Sequence, residues 1–365
     1  MKPDLKVAIV HDWLVGGGAE RVVYELHRMF PDAPIYTSYC TPEWRQKLDG
    51  KVITGFLQWG PFGRLRKFLP ILRIWWFGRL RLGGYDLILS SSGAEAKGIK
   101  TKKPSLHVNY CHAPTHYYWS RYDEYLHNPG FPTGFNWLAK LGLRLLVWPL
   151  RKWDYKAAQR PDYMIANSLH TQAAIKKYYG RRSTVIHPPI DTDRFANVPP
   201  QKRAGFVIAG RQTPYKRIDL AVTACTQLGV PLTVIGNGPD HERLVRLAGP
   251  TINFVVNPPD EEVVKHFAAA EAFIFPGTDD FGITPVEAMA TGTPVIAYKA
   301  GGALDYVTPT TGLFFEAQTT DSLIKALQQF KTNNYIQGDI KSAAQAYSTA
   351  VFHKKLRVEL ERVLQ

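Results

Sequence analysis

Cysteine is scarce in this 365-residue chain: Cys40, Cys111 and Cys225 are scattered, and no two stand in a C-x-x-C spacing. That excludes a disulfide framework and a readable zinc site, and it makes a reduced, intracellular compartment the default expectation. No uninterrupted apolar run reaches 18 residues, which argues against a membrane-spanning helix. The opening MKPDLKVAIVHDW has no basic segment followed by an apolar core and a small-residue cleavage site. It therefore reads as the first strand of a fold, over residues 7–10, and not as a signal peptide. Acid is missing altogether from residues 50–85, although Lys51, Arg64, Arg66, Lys67, Arg73, Arg79 and Arg81 all lie there.

What is present describes a folded globular protein, with 45% apolar and 21% charged residues. The length suits two α/β domains of about 150–190 residues each. The net charge of +14 is lopsided: residues 1–190 carry 28 Lys and Arg against 13 Asp and Glu, and residues 191–365 carry 17 against 18. A basic half calls for an anionic partner, whether a membrane surface, a phosphorylated substrate or nucleic acid. No nucleic-acid-binding motif is present, so nucleic acid is not expected.

The second half alternates short β-rich runs (205–210, 232–236, 253–256, 272–275 and 294–298) with helical stretches at 217–228, 240–247 and 261–270. That alternation predicts a parallel, doubly wound sheet. The first half repeats it with runs at 7–10, 34–37, 86–90, 107–111 and 163–168. The proline-rich HPPIDTDRF marks a linker near 188–202, dividing the chain into residues 1–190 and 191–345. A final helix over 346–365 is long enough to pack back on the first domain.

Three motifs carry chemistry. Gly16-Gly17-Gly18-Ala19-Glu20-Arg21 follows the first strand and opens a helix over 19–29. Its glycines let backbone approach a ligand and its helix start offers N–H groups to a phosphate or sugar oxygen, although a flexible turn has the same composition. The run from Gly210 to Arg217, GRQTPYKR, puts Arg211 and Lys216 after a strand, where a guanidinium and an ammonium suit a diphosphate better than a mere charged surface. In Asp279-Asp280-Phe281-Gly282-Ile283-Thr284-Pro285-Val286-Glu287, Glu287 is expected to start a helix over 287–290 and to accept bonds from ribose hydroxyls. Read alone, the two aspartates are a solvated loop and Glu287 complements a helix dipole. His112 and His116 stand four apart, but Pro114 between them argues against a helical metal pair, and no metal is expected.

Together with NYCHAPTHYYW, IANS, HPPIDTDRF, IGNGPD, GGALDYV and TGLFF, these stretches resemble glycosyltransferase family 4 over nearly the whole chain. The resemblance implies the GT-B fold, an α/β architecture of two Rossmann-like, doubly wound domains facing each other across a cleft. Within the family the chain is similar to bacterial mannosyltransferases that use GDP-mannose and act on lipid-linked glycans. It implies a retaining, metal-independent hexosyltransferase with no cofactor, the nucleotide diphosphate-sugar being a substrate, and a lipid-linked or oligosaccharide acceptor. Position by position, Arg211 and Lys216 match the pair that holds the donor diphosphate. Glu287 matches the second acid of an E-x7-E motif, which binds ribose, and Asp279 falls where the first contacts the donor sugar. Phe281, Gly282, Ile283 and Thr284 line the donor, Gly17 and Gly18 match the glycine loop beside the phosphates, and His112 matches a histidine near the sugar's 6-hydroxyl. Asp12, near the glycine loop, and His116 fall on the acceptor side, where Asp12 either helps orient the acceptor or simply caps a turn. Two positions depart from the pattern: Asp279 is one methylene shorter than the usual glutamate, and Thr115-His116 replaces a frequent Met-Arg.

The acid-free stretch interleaves its cations with Trp59, Phe62, Phe68, Trp75, Trp76 and Phe77, and residues 137–153 repeat the composition with Lys140, Arg144, Arg151 and Lys152. Such faces suit an interfacial helix on anionic lipid, or two helices burying an apolar side while cations face water. The first alternative places the protein in the cytoplasm, peripheral on the inner face of the membrane. Competing functions are a family 4 transferase using a UDP-sugar, a non-catalytic nucleotide-sugar or lipid-binding protein of the same fold, and an epimerase, for which no acid/base pair presents itself.

Overall fold

The computed structural model describes residues 4–65, 69–127, 136–196, 198–199 and 201–365. Arg66, Lys67 and Phe68 of the basic stretch lie outside the described residues, as does the side chain of Arg64. Two compact units emerge, residues 1–187 with 353–365, and residues 188–352.

The first unit is built on seven strands: β1 Val7–His11, β2 Ile35–Thr37, β3 Val52–Thr54, β4 Leu87–Ser92, β5 Leu106–Cys111, β6 Tyr163–Ala166 and β7 Thr184–Val185, in the order β3-β2-β1-β4-β5-β6-β7. The second has six: β8 Phe206–Ala209, β9 Leu232–Ile235, β10 Ile252–Val255, β11 Ala272–Phe275, β12 Val295–Tyr298 and β13 Gly312–Phe315, ordered β10-β9-β8-β11-β12-β13. Every pairing among the described strands is parallel. Parallel sheets are covered on both faces, so their central strands are continuously apolar and not alternating. β1 and β11 are buried along their whole lengths for that reason. In each sheet the strand order reverses once, between β1 and β4 and between β8 and β11. The carboxyl ends of strands at such a reversal are where α/β sheets bind ligands.

Helix ends follow local chemistry. The Ser168 hydroxyl accepts the Thr171 N–H at the start of helix Leu169–Tyr179, and Gly180 ends that helix in the left-handed region. Gly229 does the same after helix Ile218–Leu228. The C-terminal helix Thr349–Leu364 belongs to the first unit from His353 onward. There it buries Leu356 and Leu360, accepts a 2.9 Å bond from Thr184 on Glu359, and lays the Arg362 guanidinium 5.6 Å over the Tyr163 ring.

The stretch 188–202 begins at the division between the units, and within it Ile190 and Phe195 are buried in the second core, with Thr192–Ala196 a helical turn. Two expectations need correction. The helix expected at 287–290 begins four residues earlier, as Ile283–Ala290 with Gly282 at its cap. Arg73 and Phe77 of the basic-aromatic stretch do not face a lipid or water; both are fully buried on helix Pro70–Gly78.

Candidate functional site

In the second unit the sequence-flagged residues gather on the loops after β8 and β11. Gly210 leaves β8 and Arg211 follows, exposed, with no ion pair among the described residues. The next residue, Gln212, is fully buried and ties this loop to the one after β9: its side chain donates to the Gly236 carbonyl at 2.8 Å and pairs with His241 Nδ1 at 2.7 Å. A Cβ on Gly238 would strike the Gln212 carbonyl oxygen, and one on Gly236 that of Gly210. The glycines of IGNGPD therefore exist to let the Arg211 loop lie flat on them. Gly238→Ala is expected to cost about 1–3 kcal/mol, read as a lower urea midpoint, because the clash is with backbone that cannot rotate away.

Pro214–Lys216 is one turn of 3-10 helix, and Arg217, at φ 52°, swings the chain into helix Ile218–Leu228. Lys216 Nζ forms an ion pair with Asp279 Oδ2, the side chains 24% and 14% exposed. The aspartate thus neutralises the very ammonium expected to meet a phosphate, and one carboxylate oxygen sits where an incoming anion would compete. The Asp279 carbonyl accepts the Gly302 N–H at 2.9 Å, which fixes the loop from below. Burial pushes the neighbouring Tyr306 hydroxyl's pKa up, and the charge of Asp279 adds to that.

The expectation for Phe281, Gly282 and Ile283 concerns their backbone N–H groups; the Phe281 ring itself packs in the core 5.5 Å from Tyr306 and 5.6 Å from Tyr347, ring centre to ring centre. Its rigid seat holds Gly282, at φ 86°, as the cap of helix Ile283–Ala290. Any Cβ at 282 would meet Phe275 and the Tyr306 hydroxyl. The first-turn amides of Ile283 and Thr284 have no acceptor within their own helix, the usual geometry for an anion or hydroxyl ligand. Glu287, only 5% exposed, stands on the second turn, and the first turn holds no acid. Complementing the helix dipole is thereby ruled out as its purpose, since that interaction fades beyond the first turn.

In the first unit, Gly17 caps helix Gly18–Met29. Glu20 on that helix folds back so that its Oε1 accepts the N–H groups of Val15 (3.3 Å) and Gly16 (3.1 Å). This first-turn acid therefore occupies the near side of the glycine loop, and the amides at the helix start, Gly18 and Ala19, have no acceptor within their own helix. At the ends of β1, β4 and β5 three side chains converge. His11 Nδ1 lies 2.7 Å from the Ser91 carbonyl oxygen, His112 Nε2 lies 2.7 Å from Ser91 Oγ, and the two imidazoles meet edge to face at 6.2 Å. His11 and Ser91 have no signal of their own in sequence beyond closing their strands. Only the parallel register, which sets His11 beside Ser91 and Ser92 beside Cys111, brings them to His112.

Of the two roles open to Asp12, the structure shows the turn-capping one. Its carboxylate accepts the backbone N–H groups of Gly93 (2.8 Å), Ala94 (2.9 Å) and Ala96 (2.7 Å), and it is 5% exposed. Burial raises its pKa, against the pull of His11 and the Ala96 amide. It is a turn-capping residue, its lone pairs spent on the chain. His116 forms a local 2.7 Å pair with Ser120 on the following turn.

The Asp12-capped turn, Glu95–Gly98, is bolted down by two buried ion pairs. Arg73 donates to both Glu95 oxygens at 2.8 and 2.9 Å, and Tyr117 adds a 2.7 Å bond to the same carboxylate. Lys97 pairs with Asp154 at 2.7 Å, whose oxygens also accept Thr115, Trp119 and Tyr179 at 2.7–2.8 Å. Burial works against the Lys97 ammonium, but Asp154 beside it outweighs this and holds its pKa above the ordinary lysine value. Thr115, which stands for the methionine of the frequent Met-Arg pair, is a fully buried link in this network.

Comparison with known proteins identifies the family and the fold. The family described as Glycosyltransferase Family 4 matches residues 16–194, and Glycosyl transferases group 1 matches residues 189–347. A GDP-mannose-dependent monoacylated alpha-(1-6)-phosphatidylinositol monomannoside mannosyltransferase of Corynebacterium glutamicum is 28% identical over 242 residues, 58% of this chain and 64% of that protein. A GDP-mannose-dependent alpha-mannosyltransferase of Mycobacterium tuberculosis is 37% identical over 111 residues, 30% of this chain and 29% of its own length. The chain thus matches less than two thirds of the length of these relatives. Among solved structures, sucrose-phosphate synthase of Thermosynechococcus elongatus superposes with a TM-score of 0.71 at 17% identity, covering 98% of this chain and 99% of that one. HepE of Anabaena in complex with UDP gives 0.68 at 17%, covering 98% and 100%. No helix among the described residues is long and apolar enough to cross a membrane. With the two family matches running together from residue 16 to residue 347 and both sheets wound as in the GT-B structures, the chain belongs to glycosyltransferase family 4 and has the GT-B fold.

Proposed function

We propose that the protein is a retaining hexosyltransferase that takes mannose from GDP-mannose and passes it to a lipid-linked or saccharide acceptor at the inner face of the membrane. The observation that carries this reading is that two cations, Arg211, exposed and without an ion pair among the described residues, and Lys216, follow the carboxyl end of β8, while Lys216 reaches Asp279 on the loop after β11, which leads into a glycine-capped helix start and a buried acid, Glu287. Those are the parts a nucleoside diphosphate needs: two cations for the phosphates, amides for oxygens, and a carboxylate for vicinal hydroxyls. The choice of guanine and mannose follows the relatives' names, GDP-mannose-dependent in each case quoted.

In the proposed reaction the bond between the sugar's C1 and the β-phosphate oxygen breaks, and a bond from C1 to the acceptor oxygen forms on the same face. The acceptor's proton passes to the departing phosphate, so no enzyme nucleophile is needed. Charge builds on the β-phosphate as the bond breaks, and Arg211 and Lys216 stabilise it there in place of a divalent cation. Lys216 must first leave Asp279, which is then free to accept a sugar hydroxyl. In the first unit Ser91 Oγ, 2.7 Å from Nε2, holds the His112 imidazole at the carboxyl ends of β4 and β5.

A thermal-shift panel of GDP-mannose, UDP-glucose and ADP-glucose tests the donor. At a hundredfold its Kd, the true donor stabilises by about 2.7 kcal/mol and the others do not. A shift with UDP-glucose alone reassigns the base, and no shift with any of them removes the transferase reading. Chelator is expected to leave turnover unchanged.

A further inference from the structure

Helix Asn136–Ala158 has two apolar faces. Its inner face, Val147, Leu150, Asp154, Ala157 and Ala158, is buried. Its outer face is equally apolar over three turns: Trp137 is 66% exposed, Leu141 45%, Leu145 68% and Trp148 72%. These positions run i, i+4, i+8 and i+11, and at 3.6 residues per turn they fall within an arc of about 100°. A surface helix of a water-soluble fold keeps this arc polar. What is polar here is all of one sign. Arg144 and Lys152 lie within the stripe, Lys140 borders it, and no acid occurs anywhere from residue 125 to residue 153.

We propose that this stripe is a docking surface for an anionic lipid bilayer, on which the helix lies in the plane of the interface with Trp137, Leu141, Leu145 and Trp148 inserted among the headgroups. The inference draws on the proposed function only for the acceptor's location. Tryptophan suits that depth, apolar in body with one polar N–H, and cations flanking an inserted apolar stripe meet anionic headgroups. Charge argues against the obvious rival, a second copy of the chain. A two-fold pairing would lay the stripe on itself and face Lys140, Arg144 and Lys152 with their own copies, with no acid on either helix stretch to neutralise them. Nearby structure supplies a rigid mount: Trp153 of the same helix packs against Gly98, where a Cβ would not fit, and Lys97 is locked to Asp154. The helix Pro70–Gly78, held to the same turn through Arg73, also leaves Ile71 and Trp75 half-exposed, with the Arg79 guanidinium 4.3 Å over the Trp75 ring.

Co-sedimentation of the full chain with phosphatidylcholine vesicles, and with vesicles also containing phosphatidylglycerol, tests this in the absence of nucleotide. The wild type is expected to bind only the anionic vesicles and to lose binding as salt rises. Trp148→Ser lowers the vesicle affinity by about tenfold. Lys140→Gln/Arg144→Gln/Lys152→Gln lowers it by about a hundredfold. Arg144, Trp148 and Lys152 are exposed and Lys140 is half-buried, so a circular-dichroism melt checks that each variant is folded, and an unchanged thermal shift with GDP-mannose shows that the donor unit is intact, keeping this result separate from the donor assignment. Anionic vesicles bound equally by wild type and variants overturn the proposal. So does a wild type that binds no vesicle but runs as a dimer that Leu145→Glu splits.

Discussion

Lys216→Ala is expected to lower turnover by about 10²–10³, equivalent to roughly 2.7–4 kcal/mol of barrier. Two effects act together. The variant loses a cation placed where charge develops on the leaving phosphate, and it strands the Asp279 carboxylate, 14% exposed and without its ion-pair partner, at the same spot. A stranded carboxylate repels the donor before any chemistry begins, so both KM and kcat suffer. Arg211→Ala removes the other cation but leaves no orphan, since Arg211 is exposed and has no ion pair among the described residues. Its loss falls at the lower end of the same range and lies mainly in kcat. The double variant Lys216→Ala/Asp279→Asn separates the contributions: relieving the repulsion restores part of the KM and none of the kcat. Steady-state kinetics with GDP-mannose, alongside a circular-dichroism melt to show each variant folded, checks all three.

The second large effect is on stability. Lys97→Ala is expected to destabilise the first unit by about 3–5 kcal/mol, because it leaves the Asp154 charge buried without its counter-ion. Thr115, Trp119 and Tyr179 still donate to Asp154, but three neutral hydrogen bonds do not replace a full positive charge in a site sealed from water. Lys97→Met/Asp154→Asn removes both charges while the amide oxygen keeps an acceptor for the buried donors around it, and part of the loss is regained. Urea unfolding followed by tryptophan fluorescence reads this directly, since the Trp119 indole N–H is 2.7 Å from Asp154. A single variant as stable as the wild type would mean the pair carries no net charge interaction.

This network marks the limit of what the chain discloses in one dimension. Arg73 and Lys97 look in sequence like solvated cations, since no acid lies within 12 residues of Arg73. Their partners are 22 and 57 positions away, and only tertiary packing reveals them as core. Reading Arg73 into a lipid-facing patch went wrong for that reason, whereas the exposed stripe on Asn136–Ala158 keeps the composition that first suggested lipid. Central strands were easy to see: VAIV, DLIL and AFIF are continuous apolar runs closing in polar or glycine-rich loops, as doubly covered parallel strands must be. Edge strands were uneven: β10 falls in the run 253–256 and β7 in the strand-like TVIH, whereas β3 has three residues, too short for any periodicity, and β13 hides inside TGLFF, which reads equally well as a loop.

The loops carried their message in glycine. Gly282, Gly236 and Gly238 stand where a side chain would collide with backbone or a core ring, so these positions are glycine for steric reasons that a sequence displays plainly. Carboxylates were harder. Glu287 was placed at a helix start and proves to be on the second turn, because Pro285 was read as lying before the helix when it sits within its first turn. Glu20 and Asp12 both turned out to serve the backbone, a use of acid that leaves no trace in spacing except the first-turn position of Glu20.

The central claim is that Arg211 and Lys216 grip a nucleotide's two phosphates. Calorimetric titration of the wild type and of Arg211→Ala/Lys216→Ala with GDP and with guanosine tests it most directly. The account predicts that the wild type binds GDP far more tightly than guanosine, and that the double variant loses this preference while still binding guanosine. A double variant that binds GDP as the wild type does would contradict it.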